Sequence, residues 1–380
     1  MIKLLTIIGA RPQIIKAAAL SKAIRSDFSD RIEEKILHTG QHYDAVMSQV
    51  FFEELEIPQP DYNLGIGSGR HGEQTAKMIS GIEEVILSEP FNGVVLYGDT
   101  NSTLAGAVAA AKQHIPVFHI EAGLRSFNMA MPEEINRIAC DQMSSILFAP
   151  TQTAMDNLRN EGFLDIEARF KNGKKRQVFN SGDIMYDNSI HFAKFSGRTK
   201  ILERHFLQPN GYILATVHRD NNTDEPSRLE SIFKALLHIS NENNIAILLP
   251  IHPRTAKLMP GNLSAGLYEK IAHSKLKMVE PVSFLEMIEL EKHAKLVMTD
   301  SGGVQKESFF FEKPCLILRP ETEWVEIVTH GAGILADADF DKIVEGYKTL
   351  SEIDVTFPRL FGNGKAAHFI LERIMAYSAE

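Results

Sequence analysis

Cysteine is nearly absent: Cys140 and Cys315 are the only two in 380 residues. They cannot build a disulfide framework, and neither belongs to a CxxC pair of the metal-binding kind. Positive charge is also in deficit. Forty Lys and Arg against 49 Asp and Glu leave a net charge of −9, which excludes a nucleic-acid-coating role resting on a basic footprint. An anionic ligand must therefore meet its cations locally. No apolar run reaches membrane-spanning length. The first, residues 2–8, is short and leads into Arg11-Pro12, where a signal peptide needs small residues. The chain is expected to be soluble and cytoplasmic, with neither membrane nor nucleic acid among its partners. There is no Walker A run, no GxGxxG after the first apolar run, no Ser nucleophile elbow and no zinc-type spacing of His, Asp or Glu. Neither NAD nor a metal is indicated.

What is present is alternation. Short apolar runs at 3–8, 35–38, 94–97, 117–120, 145–149, 177–179, 212–217, 246–250, 277–279, 296–299 and 315–318 read as strands. Most are continuous, as strands covered on both faces should be. Helical patterns such as the Ala-rich 102–113 and 226–240 lie between them. The order predicts an α/β protein of parallel sheets with right-handed crossovers. A basic stretch at 167–176 precedes Ser181-Gly182-Asp183, and a new βα series opens at Tyr212. The expected domains are 1–183 and 184–364, with a last helix at 365–375 after the turn Gly362-Asn363-Gly364.

Ligands of open parallel sheets sit outside the carboxyl ends of strands, so the residues that follow the strands matter most. After the first comes Gly9-Ala10-Arg11-Pro12-Gln13 with Lys16 beyond, either a tight turn with solvated cations or an anion site at a helix N-terminus. After the third comes Gly98-Asp99-Thr100-Asn101-Ser102. Asp, Asn and Ser all cap helices well; one suffices, which leaves a spare carboxylate. Glu121-Ala122-Gly123 ends the next strand, and a Glu121–Arg125 ion pair is its structural alternative. Pro132-Glu133-Glu134 reads by itself as ordinary helix-start chemistry. In the second half, His218-Arg219 and His252-Pro253-Arg254 follow strands, His252 reading as structural. Ser301-Gly302-Gly303 opens a helix and is the best phosphate cradle in the chain, with Glu307 one turn further in.

Taken in order, GARPQ(II)K, YGDTNST, HIEAGLRS, MPEEINR, TVHR and TDSGGVQKE resemble the non-hydrolysing UDP-N-acetylglucosamine 2-epimerase family over nearly the whole chain. The resemblance implies two Rossmann-like doubly wound domains facing across a cleft, of the glycosyltransferase-B type, with the C-terminal helix crossing back to the first. It implies inversion at C2 of UDP-GlcNAc to UDP-ManNAc without cofactor or metal: UDP leaves together with the C2 proton, and a 2-acetamidoglucal takes both back. The implied catalytic residues are Asp99, Glu121, Glu133 and His218. The implied binding residues are Arg11, Lys16, Arg137, Ser301, Gly302, Gly303 and the ribose acid Glu307, with Val282 and Met287 on the uracil side. A homodimer is implied as well.

There are departures. Ala10-Arg11-Pro12-Gln13 stands for Thr-Arg-Pro-Glu, and Glu323-Trp324-Val325-Glu326 stands for Glu-Arg-Pro-Glu. With Ser126-Phe127-Asn128 these resemble the branch acting on UDP-2,3-diacetamido-2,3-dideoxyglucuronate. A regulatory second site would draw on Gln41, Arg219 and His252, and none is assumed. A hydrolysing 2-epimerase, a glycosyltransferase and a UDP-sugar-binding module are the other readings.

Overall fold

The structure is a computed structural model that describes residues 1–40, 57–165 and 170–379. The 41–49 loop, with Gln41, and residues 167–169 of the basic stretch lie outside the described residues. Contacts divide the chain into two units, Met1–Ile190 with Arg359–Glu380, and His191–Pro358. The divisions fall at 190 and 358 because helix Ile184–Phe192 begins on the first unit. Asn188 Nδ2 donates to Ile15 O at 2.6 Å, and the Asp187 carboxylate accepts the N–H groups of Ala366 and Ala367. The terminal helix, Ala366–Ala379, packs in that same unit.

In the first unit seven parallel strands run in the order β3-β2-β1-β4-β5-β6-β7. They are β1 (Ile2–Ile8), β2 (Ile32–His38), β3 (Tyr62–Asn63), β4 (Gly93–Tyr97), β5 (Val117–Ile120), β6 (Ile146–Ala149) and β7 (Gln177–Asn180). The β4, β5 and β6 strands are buried at every residue, which is why they read as unbroken apolar runs. One face of the sheet packs on helices His71–Ser88 and Asn101–Lys112 through Leu5, Ile7, Leu96, Met78, Ile82 and the alanines.

The second unit has six parallel strands in the order β10-β9-β8-β11-β12-β13. These are β8 (Tyr212–Thr216), β9 (Ala246–Pro250), β10 (Leu276–Val279), β11 (Leu296–Thr299), β12 (Cys315–Ile317) and β13 (Gly333–Leu335). Helix Pro226–Glu242 covers one face through Leu229, Ile232, Phe233 and Leu236. The sequence pattern misses β3 and β13. Both are sheet edges of two and three residues, too short to show a period. In each unit the strand order reverses at the centre, between β1 and β4 and between β8 and β11. Those reversals open a crevice at the strand ends, where α/β sheets bind ligands.

Candidate active site

At the first reversal, Gln13 ties the two central strands together. Its Oε1 accepts from Gly9 N and Ala10 N at 2.9 and 3.1 Å, while its Nε2 donates to Tyr97 O and Thr103 Oγ1, both at 2.9 Å. Gln13 is 1% exposed and stands at the third position of helix Arg11–Ala23. It is absent from the expected site residues, although a Gln at that position of a helix start signals a reach back to the preceding backbone. Arg11 is exposed on the first turn of this helix.

Gly98 follows β4 with φ +61, a region that L side chains rarely adopt. The gap left by its missing Cβ is occupied from above: that Cβ would lie 3.2 Å from Lys16 Nζ and 3.3 Å from Glu121 Oε2. Lys16 and Glu121 form an ion pair, each side chain about nine-tenths buried. Glu121 itself adopts φ +72, strained backbone in a residue with a side chain. The expected Glu121–Arg125 alternative is corrected. Arg125 pairs with Asp141 at 2.8 Å and with Glu161 at 2.6 Å, while Glu121 pairs with Lys16.

Helix capping is also corrected. Neither Asp99 nor Asn101 nor Ser102 caps helix Asn101–Lys112; Thr100 does, accepting from Thr103 N. Asp99 is thereby released to pair with Arg137, which also holds Glu134. Asn136 Nδ2 fixes the Asp99 carbonyl at 3.0 Å. Glu134 is buried, which would raise its pKa, but the N–H groups of Ser126 and Phe127 and the Arg137 guanidinium hold it below the usual carboxylate range. Glu133 is exposed on the first turn of helix Pro132–Met143. The first unit thus brings Lys16, Asp99, Glu121 and Arg137 to one sheet end and leaves Glu133 at its surface.

At the second reversal the organiser is Asp300, fully buried and absent from the expected set. It accepts from the backbone of His218 and Arg219 and from Asn222 Nδ2, at 3.0–3.1 Å, and stands 3.1 Å from His218 Nδ1. Burial would raise the Asp300 carboxyl, yet His218, the Arg219 N–H and Asn222 hold it below the usual range. Its signal in sequence was its place beside the Ser-Gly-Gly turn. Ser301 accepts from Val304 N and caps helix Gly302–Phe310. A Cβ on Gly302 or Gly303 would meet nothing closer than 3.7 Å, so both peptide N–H groups are approachable at a helix N-terminus. Arg319, Glu323 and the Trp324 indole stand around that gap, with Arg319 and Glu323 in a bidentate pair at 3.0 Å.

Glu307 is 8% exposed one turn further in. Beneath it burial, then Glu307 itself, push the fully buried Glu291 well above the carboxylate range. Val282 and Met287 are half-buried against the core of this unit. Arg219 is exposed, and His252 caps helix Pro253–Asn262 by accepting from Arg254 N at 3.2 Å. The chemistry of the two sets is complementary. One offers carboxylates with compensating cations; the other offers peptide N–H groups and an imidazole suited to a diphosphate. Among the described residues no group of three or more His, Cys, Asp or Glu could hold a metal, and no helix is long and apolar enough to cross a membrane.

A family model for UDP-N-acetylglucosamine 2-epimerase matches residues 25–375. The chain belongs to the UDP-N-acetylglucosamine 2-epimerase family. Within that family it is 50% identical to the UDP-2,3-diacetamido-2,3-dideoxy-D-glucuronate 2-epimerase of Pseudomonas aeruginosa, covering 97% of this chain and 98% of that one. It is 41% identical to the UDP-N-acetylglucosamine 2-epimerase of Methanocaldococcus jannaschii, with 99% of both covered. The crystal structure of the M. jannaschii enzyme in complex with UDP-GlcNAc and UDP matches with a TM-score of 0.85, over 99% of this chain and 100% of that chain. The fold is accordingly the α/β, glycosyltransferase-B type of this epimerase family.

Proposed function

We propose that this protein is an isomerase that inverts C2 of a UDP-linked 2-acetamido sugar by eliminating UDP and adding it back. The observation that carries the reading is the pairing of two unlike half-sites in one chain of this family: the carboxylates Asp99 and Glu121 in the first unit, and the Ser301-Gly302-Gly303 turn with His218 in the second. The C2 hydrogen has no neighbouring carbonyl to acidify it, so a side chain cannot remove it from the ground state. Stretching the C1–O bond first builds oxocarbenium character, which acidifies C2–H. The helix N-terminus at Gly302 and Gly303 takes up charge on the departing diphosphate. His218, with Nδ1 turned to Asp300, presents its other nitrogen to that leaving group. Arg11, Lys16 and Arg137 supply further positive charge. Proton removal from one face and return to the other calls for more than one acid–base group, drawn from Asp99, Glu121 and the exposed Glu133. Glu307 binds the ribose, and Val282 and Met287 line the uracil side.

The diacetamido uronate is the second reading of the sugar. It is favoured by the 50% identity to the P. aeruginosa UDP-2,3-diacetamido-2,3-dideoxy-D-glucuronate 2-epimerase. Reaction of both nucleotide sugars in D2O tests the proposal. Deuterium is expected at C2 of both epimers of the true substrate, and epimerisation without exchange overturns the mechanism. Net UDP release equal to turnover would mark a hydrolysing enzyme instead. Asp99→Asn and Glu121→Gln are expected to keep UDP affinity within a few-fold while turnover falls by at least about 10², the scale of acid–base groups. We also propose a cytoplasmic homodimer, which a monomer mass by light scattering would refute.

A further inference from the structure

Between the two carboxylate-bearing loops of the first unit lies a buried histidine that the proposed chemistry does not use. His119 in β5 is 0% exposed, and both its ring nitrogens are engaged: Nδ1 at 2.7 Å from Asp141 Oδ1, Nε2 at 2.8 Å from the Gly98 carbonyl. A carbonyl oxygen only accepts, so Nε2 carries a hydrogen. Asp141 Oδ2 accepts the Gly123 N–H at 3.1 Å and the Arg125 guanidinium at 2.8 Å, which marks an ionised carboxylate and gives Nδ1 a hydrogen as well. His119 is therefore an imidazolium. Burial pushes the imidazole down, and the hydrogen bond and charge of the Asp141 carboxylate oppose it. Arg125 is in turn held by Glu161 at 2.6 and 2.8 Å. His119, Asp141 and Arg125 are buried, and with Glu161 at the exposed end they form a chain of alternating charge whose sum is zero.

The ends of that chain fall at informative places. Gly98 immediately precedes Asp99, and its own N–H donates to Ile120 O at 3.0 Å, so both sides of the Gly98 residue are tied to β5. Gly123 stands two residues after the left-handed Glu121, whose N–H shares the Phe148 carbonyl with that of Ala122. We infer that the His119–Asp141 pair is a positioning unit that sets the Asp99 and Glu121 loops against each other, a ring nitrogen holding the first loop at Gly98 and a carboxylate oxygen holding the second at Gly123. A left-handed glutamate does not hold its geometry unaided, and Asp141 supplies the tether from within. The inference rests on the epimerase reading for its kinetic consequence, but its structural half stands apart from it.

Two amides separate positioning from mere packing. His119→Gln extends its amide as far as Nε2 and keeps a donor for the Gly98 carbonyl; His119→Asn reaches only as far as Nδ1 and loses it. Turnover is expected to fall about 10²-fold in His119→Asn, the cost of about 1 Å of misplacement, and about tenfold less in His119→Gln. UDP affinity is expected to stay within twofold in both. Amide hydrogen exchange at Asp99 is expected to quicken in His119→Asn and to be largely restored in His119→Gln. Equal losses of turnover in the two amides, tracking their melting temperatures, overturn the inference, as does unchanged exchange at Asp99. Wild-type protein inactive on both nucleotide sugars would refute the epimerase reading alone, and the exchange comparison would still decide the tether.

Discussion

Replacing Gly98 by Ala isolates the Lys16–Glu121 pair. The new Cβ would stand 3.2 Å from Lys16 Nζ and 3.3 Å from Glu121 Oε2, and would do so at φ +61. The left-handed conformation costs about 1–2 kcal/mol with a Cβ. Loss of glycine's freedom in the unfolded chain returns about 0.4–1 kcal/mol, leaving about 1 kcal/mol of net destabilisation. The control is Gly173→Ala. That residue has φ +77 in the same unit, and its Cβ would meet nothing within 4 Å. Both variants therefore carry a similar backbone penalty, and only Gly98→Ala pushes on the ion pair. Contacts of 3.2–3.3 Å require the neighbours to give by a few tenths of an ångström. If 1 Å of misplacement costs about 10²-fold, this shift costs about threefold to tenfold in turnover. Urea unfolding and C2 deuterium exchange in D2O, run on both proteins, read the two effects separately. Equal turnover in Gly98→Ala and Gly173→Ala, at equal stability loss, would refute the placement of the Lys16–Glu121 pair at the reacting centre.

Two further outcomes follow from buried groups. Burial lowers His38 from 6.5 to about 4, so the unfolded chain binds a proton in that window that the folded one refuses. Its contribution is complete above pH 6.5 and is lost as pH falls towards 4, by about 3 kcal/mol at most. His38→Asn keeps an acceptor for the Gly40 N–H, and urea midpoints between pH 7 and 4.5 should fall less steeply in it than in wild type; parallel slopes would refute the assignment. In Asp300→Asn one carboxylate oxygen becomes a donor facing N–H groups of His218 or Arg219. A destabilisation of about 1–3 kcal/mol is expected by calorimetry, with weaker UDP binding, because the loop carrying His218 loses its anchor. Wild-type UDP affinity in that variant would separate Asp300 from the diphosphate site.

The one-dimensional pattern was enough for the sheets. A strand covered on both faces is an unbroken apolar run, and the alternation of such runs with amphipathic helices leaves a parallel α/β arrangement as the packing that buries them. It also picked out the polar residues that follow parallel strands, which gather at one sheet end. The ordered motifs supplied the family and named Asp99, Glu121 and His218. Sequence did not say what each polar residue touches. Glu121, with its left-handed backbone, pairs with Lys16, 105 residues away, rather than with Arg125 four residues on. Thr100 rather than Asp99 caps its helix, and Gln13, Asp141 and Asp300 emerge as organisers only when strands distant in sequence lie side by side. Periodicity is local and survives in one dimension. The partner of a buried charge is chosen by which strands become neighbours, and that is settled only when the sheet order reverses and brings β1 beside β4 and β8 beside β11.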